Sequence, residues 1–257
     1  MREKILLMGP PGSGKSHQAV KVVKLLEDYN VPVFIIDLED KMGAMLEAMG
    51  AMPKNLLLYK AFEWTEEEAK DSDGGLLEVM TSIEKESNPG DWIIVDRVDL
   101  TWNMVQRWFV REKFKMDLAS KMVEKSKSMT KGSMFMPVFD QGSWQVINEN
   151  YEGFIHRLLY RSRCNILVTT GIKGADQSSP VDIYGNLGVL PRGQKEIGHQ
   201  PHSVFLLGMR SEYDANTRKY NLTWNITTGK DLPGRDYFDK EELDDFAIEY
   251  LALHYNP

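Results

Sequence analysis

The residues best suited to chemistry stand near the start of the chain, where Gly9, Pro10, Pro11, Gly12, Ser13, Gly14, Lys15, Ser16 and His17 read "GPPGSGKSH". Gly9, Gly14, Lys15 and Ser16 meet the spacing G-x-x-x-x-G-K-[ST]. Glycines at these places let backbone N–H groups turn inward on a phosphate, where a side chain would block the approach. Lys15 is expected to reach the β- and γ-phosphates of a nucleotide, and the Ser16 hydroxyl to bind Mg²⁺. A helix beginning here adds the positive end of its dipole.

A loop of this kind needs a carboxylate to complete the metal site. "DWIIVD" ends an apolar run at Asp96, which places a rigid carboxylate at the carboxyl end of a strand, and Asp99 is the weaker alternative. Hydrolysis further needs a group to orient and deprotonate water. Asp96 is followed by Arg97 rather than by a glutamate, so the base must come from elsewhere. "FIIDLED" supplies Asp37, Glu39 and Asp40 at another strand end, and Glu39 is the favoured base. The predicted ligands are therefore ATP and Mg²⁺.

These residues must be held by alternating strands and helices. "KILLM", "VPVFIID", "NLLLYKAF", "DWIIVD" and "NILVTTG" read as buried-type strands. Helices are expected at "HQAVKVVKLLEDY", "KMGAMLEAMG", "GGLLEVMTSIEKES" and "NENYEGFIHRLLYRSRC". "ADQSSPVDIYGNLGVLPRGQKEIGHQ" reads as a long loop or hairpin, followed by two more strands. The expected class is α/β, a mostly parallel sheet with helices on both faces. Residues 1–257 are expected to form one domain, with a less regular basic insertion at about 101–150 and an acidic C-terminal helix at about 239–254. An additional strand is expected to separate the P-loop strand from the Asp96 strand, an arrangement of ATPases rather than of kinases.

At 42% hydrophobic and 27% charged residues, composition is that of a soluble globular chain, and the net charge of −7 does not advertise nucleic-acid binding. Locally the balance differs. Residues 107–131 hold eight lysines and arginines against three carboxylates, a local +5 that leaves −12 elsewhere. Trp102, Trp108, Phe109 and Phe114 lie within or beside this stretch, a composition suited to single-stranded DNA. The same segment also reads as a solvated helix face whose rings belong to the core. A second basic candidate is 171–202, with Lys173, Arg192, Lys195, His199 and His202. Cys164 is the only cysteine, which excludes an intrachain disulfide. No apolar run is long enough to span a membrane, and a cytoplasmic setting is expected.

"FIIDLED" and "DWIIVDRVDLTW" resemble the glutamate-bearing strand and the Walker B strand of RecA-type recombinases, and "RSRCNILVTTG" is similar to their next core strand. With "GPPGSGKS", the chain looks like phage-encoded RecA-core ATPases. The resemblance implies ATP hydrolysis with Lys15, Glu39 and Asp96 in the site, and a γ-phosphate sensor at Thr169 or, preferably, Thr170. It implies a homo-oligomer in which Arg192 or Lys195 reaches a neighbouring site, and a role on single-stranded DNA in recombination, annealing or replication. Two other readings stay open. One is a nucleoside or nucleotide kinase with Arg157, Arg161 and Arg163 in its lid. The other is a nucleotide-gated assembly or packaging factor with no DNA substrate.

Overall fold

Each central strand sends alternate side chains to opposite faces. Leu6 and Met8, Phe34 and Ile36, and Ile93 and Val95 enter one core; Ile5 and Leu7, Val33 and Ile35, and Trp92 and Ile94 enter a second. A strand buried on both sides is one covered by helices on both sides, as the near-continuous apolar runs require. The computed structural model describes residues 2–50, 53–68, 72–127, 139–175, 187–198, 200–214, 219–231 and 238–254.

The strands are β1 (Lys4–Met8), β2 (Val33–Asp37), β3 (Leu56–Lys60), β4 (Trp92–Asp96), β5 (Asn165–Thr170), β6 (Ile172–Gly174), β7 (Val189–Pro191), β8 (Ser203–Asp214) and β9 (Lys219–Asp231). Seven form one sheet in the order β3-β2-β4-β5-β1-β8-β9, while β6 and β7 pair as a small antiparallel hairpin. All pairings in the large sheet are parallel except β8 with β9. The parallel register brings Met8, Thr170, Asp96, Asp37 and Lys60 to one edge. This is the expected mostly parallel α/β sheet, and one strand does separate β1 from β4. That strand is β5, which follows both in sequence; β2 lies on the far side of β4.

Helices α1 (Lys15–Asp28) and α2 (Met42–Ala48) cover one face. The other carries α3 (Leu76–Glu86), α4 (Asp99–Phe114) and α6 (Gln141–His156), the last continuing as a π turn, Arg157–Arg161. Between them lies α5 (Leu118–Lys127), which buries none of its residues. The stretch 101–150, expected to be less regular, is thus mostly helical over its described residues. Helix α4 sends Met104, Val105, Phe109 and Val110 into the core, and each such apolar side chain contributes about 1.5–3 kcal/mol.

The acidic C-terminal segment is shorter as a helix than expected. It runs through Ala247–Leu251 in π geometry and then Ala252–His254. Its preceding acids are used as caps and anchors instead. Asp239 Oδ1 accepts from the Thr228 N–H, and Asp245 Oδ1 accepts from the Ala247 N–H. Gln18 of α1 holds the segment down by accepting from Phe246 N–H at 2.9 Å. Among the described residues no helix is long and apolar enough to cross a membrane.

Candidate functional site

The chain leaves β1 at Met8 and re-enters regular structure at Lys15, so the glycine-rich loop is a strand-to-helix turn at the carboxyl edge of the sheet. Gly14 sits at φ +84°, in the left-handed region that a glycine enters without steric cost. Gly9 is demanded by proximity. A Cβ there would stand 2.4 Å from the Leu207 carbonyl oxygen and 2.5 Å from Ser13 Oγ. Lys15 Nζ lies within the loop and donates to the carbonyls of Gly9 and Pro10, each at 2.8 Å. Burial lowers its pKa and nearby Arg97 lowers it further, while Asp96, Asp99 and Glu39 oppose the shift.

Behind the loop stands a side chain that sequence reading did not single out. Trp224, on β9, has Nε1 3.0 Å from where a Gly14 Cβ would be. Its ring stacks with His17 at 6.2 Å between centroids and 17° between planes. The indole Nε1 is buried without a hydrogen-bond partner among the described residues. Only the β8–β9 pairing brings Trp224 here, and no local motif announces that.

Asp96 closes β4 with its carboxylate fully buried. Ser16 Oγ donates to its two oxygens at 2.9 and 3.1 Å, and Thr169 Oγ1 donates to Oδ1 at 2.5 Å. Burial raises the Asp96 pKa; the Thr169 and Ser16 hydroxyls act against that rise. The donor set is a hydroxyl and a carboxylate, hard oxygens of the type Mg²⁺ prefers, beside a loop shaped by glycine for phosphate. The residues present therefore fit a magnesium–nucleotide pair, which Ser16 and Asp96 would hold from the protein's side.

The three carboxylates after β2 have separate environments. Asp37 is fully buried and accepts from the backbone N–H groups of Glu39 at 3.0 Å and Met42 at 2.7 Å, so it shapes the turn into α2. Asp40 has φ +56° and pairs with Lys60 at 2.6 Å on an exposed rim. Glu39 turns toward β4. Its Oε1 accepts from Arg97 Nη1 at 2.6 Å and its Oε2 pairs with Lys41 at 2.8 Å. Arg97 also grips the buried carboxylate of Asp99, from Nε at 3.1 Å and Nη2 at 2.8 Å. Its backbone is held at φ +71°, with the N–H donating to Thr169 Oγ1 at 2.9 Å. Such a conformation in a non-glycine residue costs about 1–3 kcal/mol and persists only where its surroundings hold it.

Thr169 and Thr170 divide in the same way. Thr169 touches Asp96, whereas Thr170 Oγ1 donates to the Arg192 carbonyl at 3.1 Å, tying the end of β5 to the segment beyond it. Residues 176–186 and His199 of the 171–202 candidate lie outside the described residues. Lys173 lies in β6, Arg192 directly follows β7, and Lys195 begins a 3-10 turn, Lys195–Gly198.

In the 107–131 candidate the rings are engaged in packing. Phe109 is buried, and Trp102, Trp108 and Phe114 pack against the same core, where Trp102 stacks on Trp144. Several of the cations face carboxylates: Arg111 with Glu63, Lys113 with Asp140, Lys115 with Glu112, and Lys121 with Glu124. The rings thus take part in core packing, wholly for Phe109 and partly for the other three; Lys131 lies outside the described residues. The arginines weighed for a kinase lid are also misplaced. Arg157 pairs with Glu84 at 2.8 Å, and 157–163 lead into the amino end of β5, opposite the edge that carries the P-loop.

No protein-family model matches the chain, and no curated protein matches it either. Among solved structures, the chain is similar to a KaiC-like protein of the hyperthermophilic archaeon Pyrococcus horikoshii. The identity is 12%, with 93% of this chain and 82% of that chain covered and a TM-score of 0.45. A likeness at that score carries no argument, and the mostly parallel α/β reading stands on the strand order, with β5 between the P-loop strand and the Asp96 strand.

Proposed function

We propose that the chain is a magnesium-dependent, ATP-hydrolysing RecA-like protein that acts on single-stranded DNA. The observation that carries the ATPase part is the convergence of Lys15, Ser16, Asp96 and Glu39 on one sheet edge. There Ser16 already donates to Asp96, and Glu39 is drawn toward the same place by Arg97. Lys15 holds the β- and γ-phosphates. Magnesium bound by Ser16 and Asp96 would supply neutralisation of the charge that develops on the transferring group. Glu39 orients the attacking water and accepts its proton. Thr169 holds Asp96 in place. Thr170 links the end of β5 to the 171–202 segment through the Arg192 carbonyl, a route from phosphate loss to a partner.

With the 107–131 rings engaged in packing, the single strand is assigned to 171–202. The contact to a neighbouring subunit falls to Lys195, because Arg192 lines a cavity beside its own Arg97. The deciding measurement is the ATPase rate with and without single-stranded DNA, together with the mass in solution. Stimulation by DNA in an oligomer is the expected result. Turnover indifferent to DNA, with no mobility shift, would overturn the DNA assignment and leave the ATPase standing.

A further inference from the structure

Between the β4–α4 junction and the β6–β7 hairpin lies a cavity of about 340 Å³, lined among others by Arg97, Asp99, Trp102, Asn103, Lys173 and Arg192. Its charges are unevenly matched. Asp99 is satisfied by the fork of Arg97. Among the described residues Lys173 Nζ donates to a carbonyl alone, that of Gly193 at 3.3 Å. The exposed Arg192 has no carboxylate partner among the described residues. Two cations therefore remain after Asp99 and Arg97 cancel. A guanidinium beside an ammonium, with an amide and an indole on the wall, suits a phosphate ester. The fork geometry of arginine matches two phosphate oxygens, and lysine adds a point charge.

One wall of this cavity is the residue that holds Glu39. Arg97 spends Nε and Nη2 on Asp99 and Nη1 on Glu39, so a single donor group separates the cavity from the proposed base. We propose that the cavity binds a phosphate ester, and that its occupant accepts from Nη1 of Arg97 in competition with Glu39, so that the Glu39 carboxylate is the group that moves. The Asp99 fork holds the planar guanidinium where it is. The exchange replaces one charge-assisted hydrogen bond of Arg97 with another, so its net cost is small. Glu39 keeps Lys41 but loses the closer of its two cations. With both carboxylate oxygens held by cations, Glu39 is a poor acceptor for a water proton; with one released, it is free to turn to the nucleotide. The backbone of Arg97 does not move in this scheme, because Thr169 Oγ1 holds its N–H. Occupancy of the cavity and competence of the base become one equilibrium, and by linkage nucleotide binding reports back on the cavity.

The inference rests on Glu39 as the base, and the experiment separates the two. The full chain is assayed for ATP hydrolysis against increasing oligothymidylate and, separately, thymidine monophosphate. Wild type is expected to be stimulated several-fold. Saturation by the oligonucleotide alone identifies a strand phosphodiester as the occupant, and saturation by the mononucleotide identifies a free monoester. Arg97→Gln is expected to have a raised rate without either ligand and no further stimulation. Arg192→Gln, a surface change that leaves folding intact, is expected to raise the half-stimulating concentration at least tenfold. Stimulation that is unaltered in both variants, or wild-type hydrolysis that neither ligand changes, overturns the cavity proposal while the ATPase reading stands. Normal turnover in Glu39→Gln removes the base, and this inference with it.

Discussion

Ser16 Oγ stands 2.9 and 3.1 Å from the two carboxylate oxygens of Asp96, although 80 positions separate the residues in sequence. The contact joins the first turn of α1 to the end of β4, the two places that would hold a magnesium ion on the proposed reading. If both hold one ion, as proposed, their losses should not add. Ser16→Ala and Asp96→Asn are each expected to raise the magnesium needed for half-maximal turnover by at least about tenfold, with the double variant little worse than Asp96→Asn. Magnesium titrations of ATPase rate across the four proteins check this; additive losses would show two independent roles.

Lys15 carries the only ammonium inside the loop, bonded to Gly9 and Pro10. Lys15→Ala is expected to abolish nucleotide binding, because no other described cation lies within hydrogen-bond reach of those carbonyls. Calorimetric titration with magnesium–ATP measures it, and binding within tenfold of wild type would contradict the assignment.

Asp37 and Glu39 are two residues apart and should fail in opposite ways. Glu39→Gln keeps its size and its place beside Arg97, so binding is expected to persist while turnover stops. Asp37 accepts two backbone N–H groups at the start of α2. Asp37→Asn is expected to cost about 1 kcal/mol, a fall of roughly 2–4 °C in melting temperature for a chain of this size. Thermal melts and single-turnover kinetics on both variants separate the roles, and normal turnover in Glu39→Gln would remove it from the mechanism.

The parts of this site that could be read in the sequence are those carried by local spacing. Gly9, Gly14, Lys15 and Ser16 lie within eight residues, and Asp96 and Asp37 each end an apolar run, so their strand ends are visible without the fold. What could not be read depends on pairing at a distance. Beta strand β5 enters between β1 and β4 only when the sheet assembles, which is why Thr169 rather than Thr170 reaches Asp96. In sequence Arg97 shows only that no glutamate follows Asp96; its grip on both Glu39 and Asp99 needs the β2–β4 register. The acids at 239–245 promised a longer helix because capping acids and helical acids look alike in sequence.

Cys164 is buried, and burial pushes its thiol pKa up, so at any pH near neutrality it holds less thiolate than a free cysteine. Thiolate is the reactive form. The folded protein is expected to react with an aromatic disulfide reagent at pH 8 far more slowly than the urea-unfolded chain, with one thiol appearing on unfolding. Equal rates in the two states would place Cys164 at the surface.

Trp224 offers an optical readout of the loop. Its indole abuts Gly14 and stacks on His17, and its Nε1 has no hydrogen-bond partner among the described residues. A nucleotide gripped by the loop changes the polarity and the hydrogen bonding around that ring, and indole emission follows both. Magnesium–ATP is therefore expected to shift or quench tryptophan emission in wild type. The change should be lost in Lys15→Ala, which does not bind, and in Trp224→Phe, which keeps an aromatic ring against His17. Trp102, on the wall of the cavity beside Arg97, is the useful contrast. Its emission is expected to answer to the phosphate ester rather than to ATP. An ATP-dependent change that survives Trp224→Phe but disappears in Trp102→Phe would reverse this assignment and place the nucleotide's nearest indole beside α4.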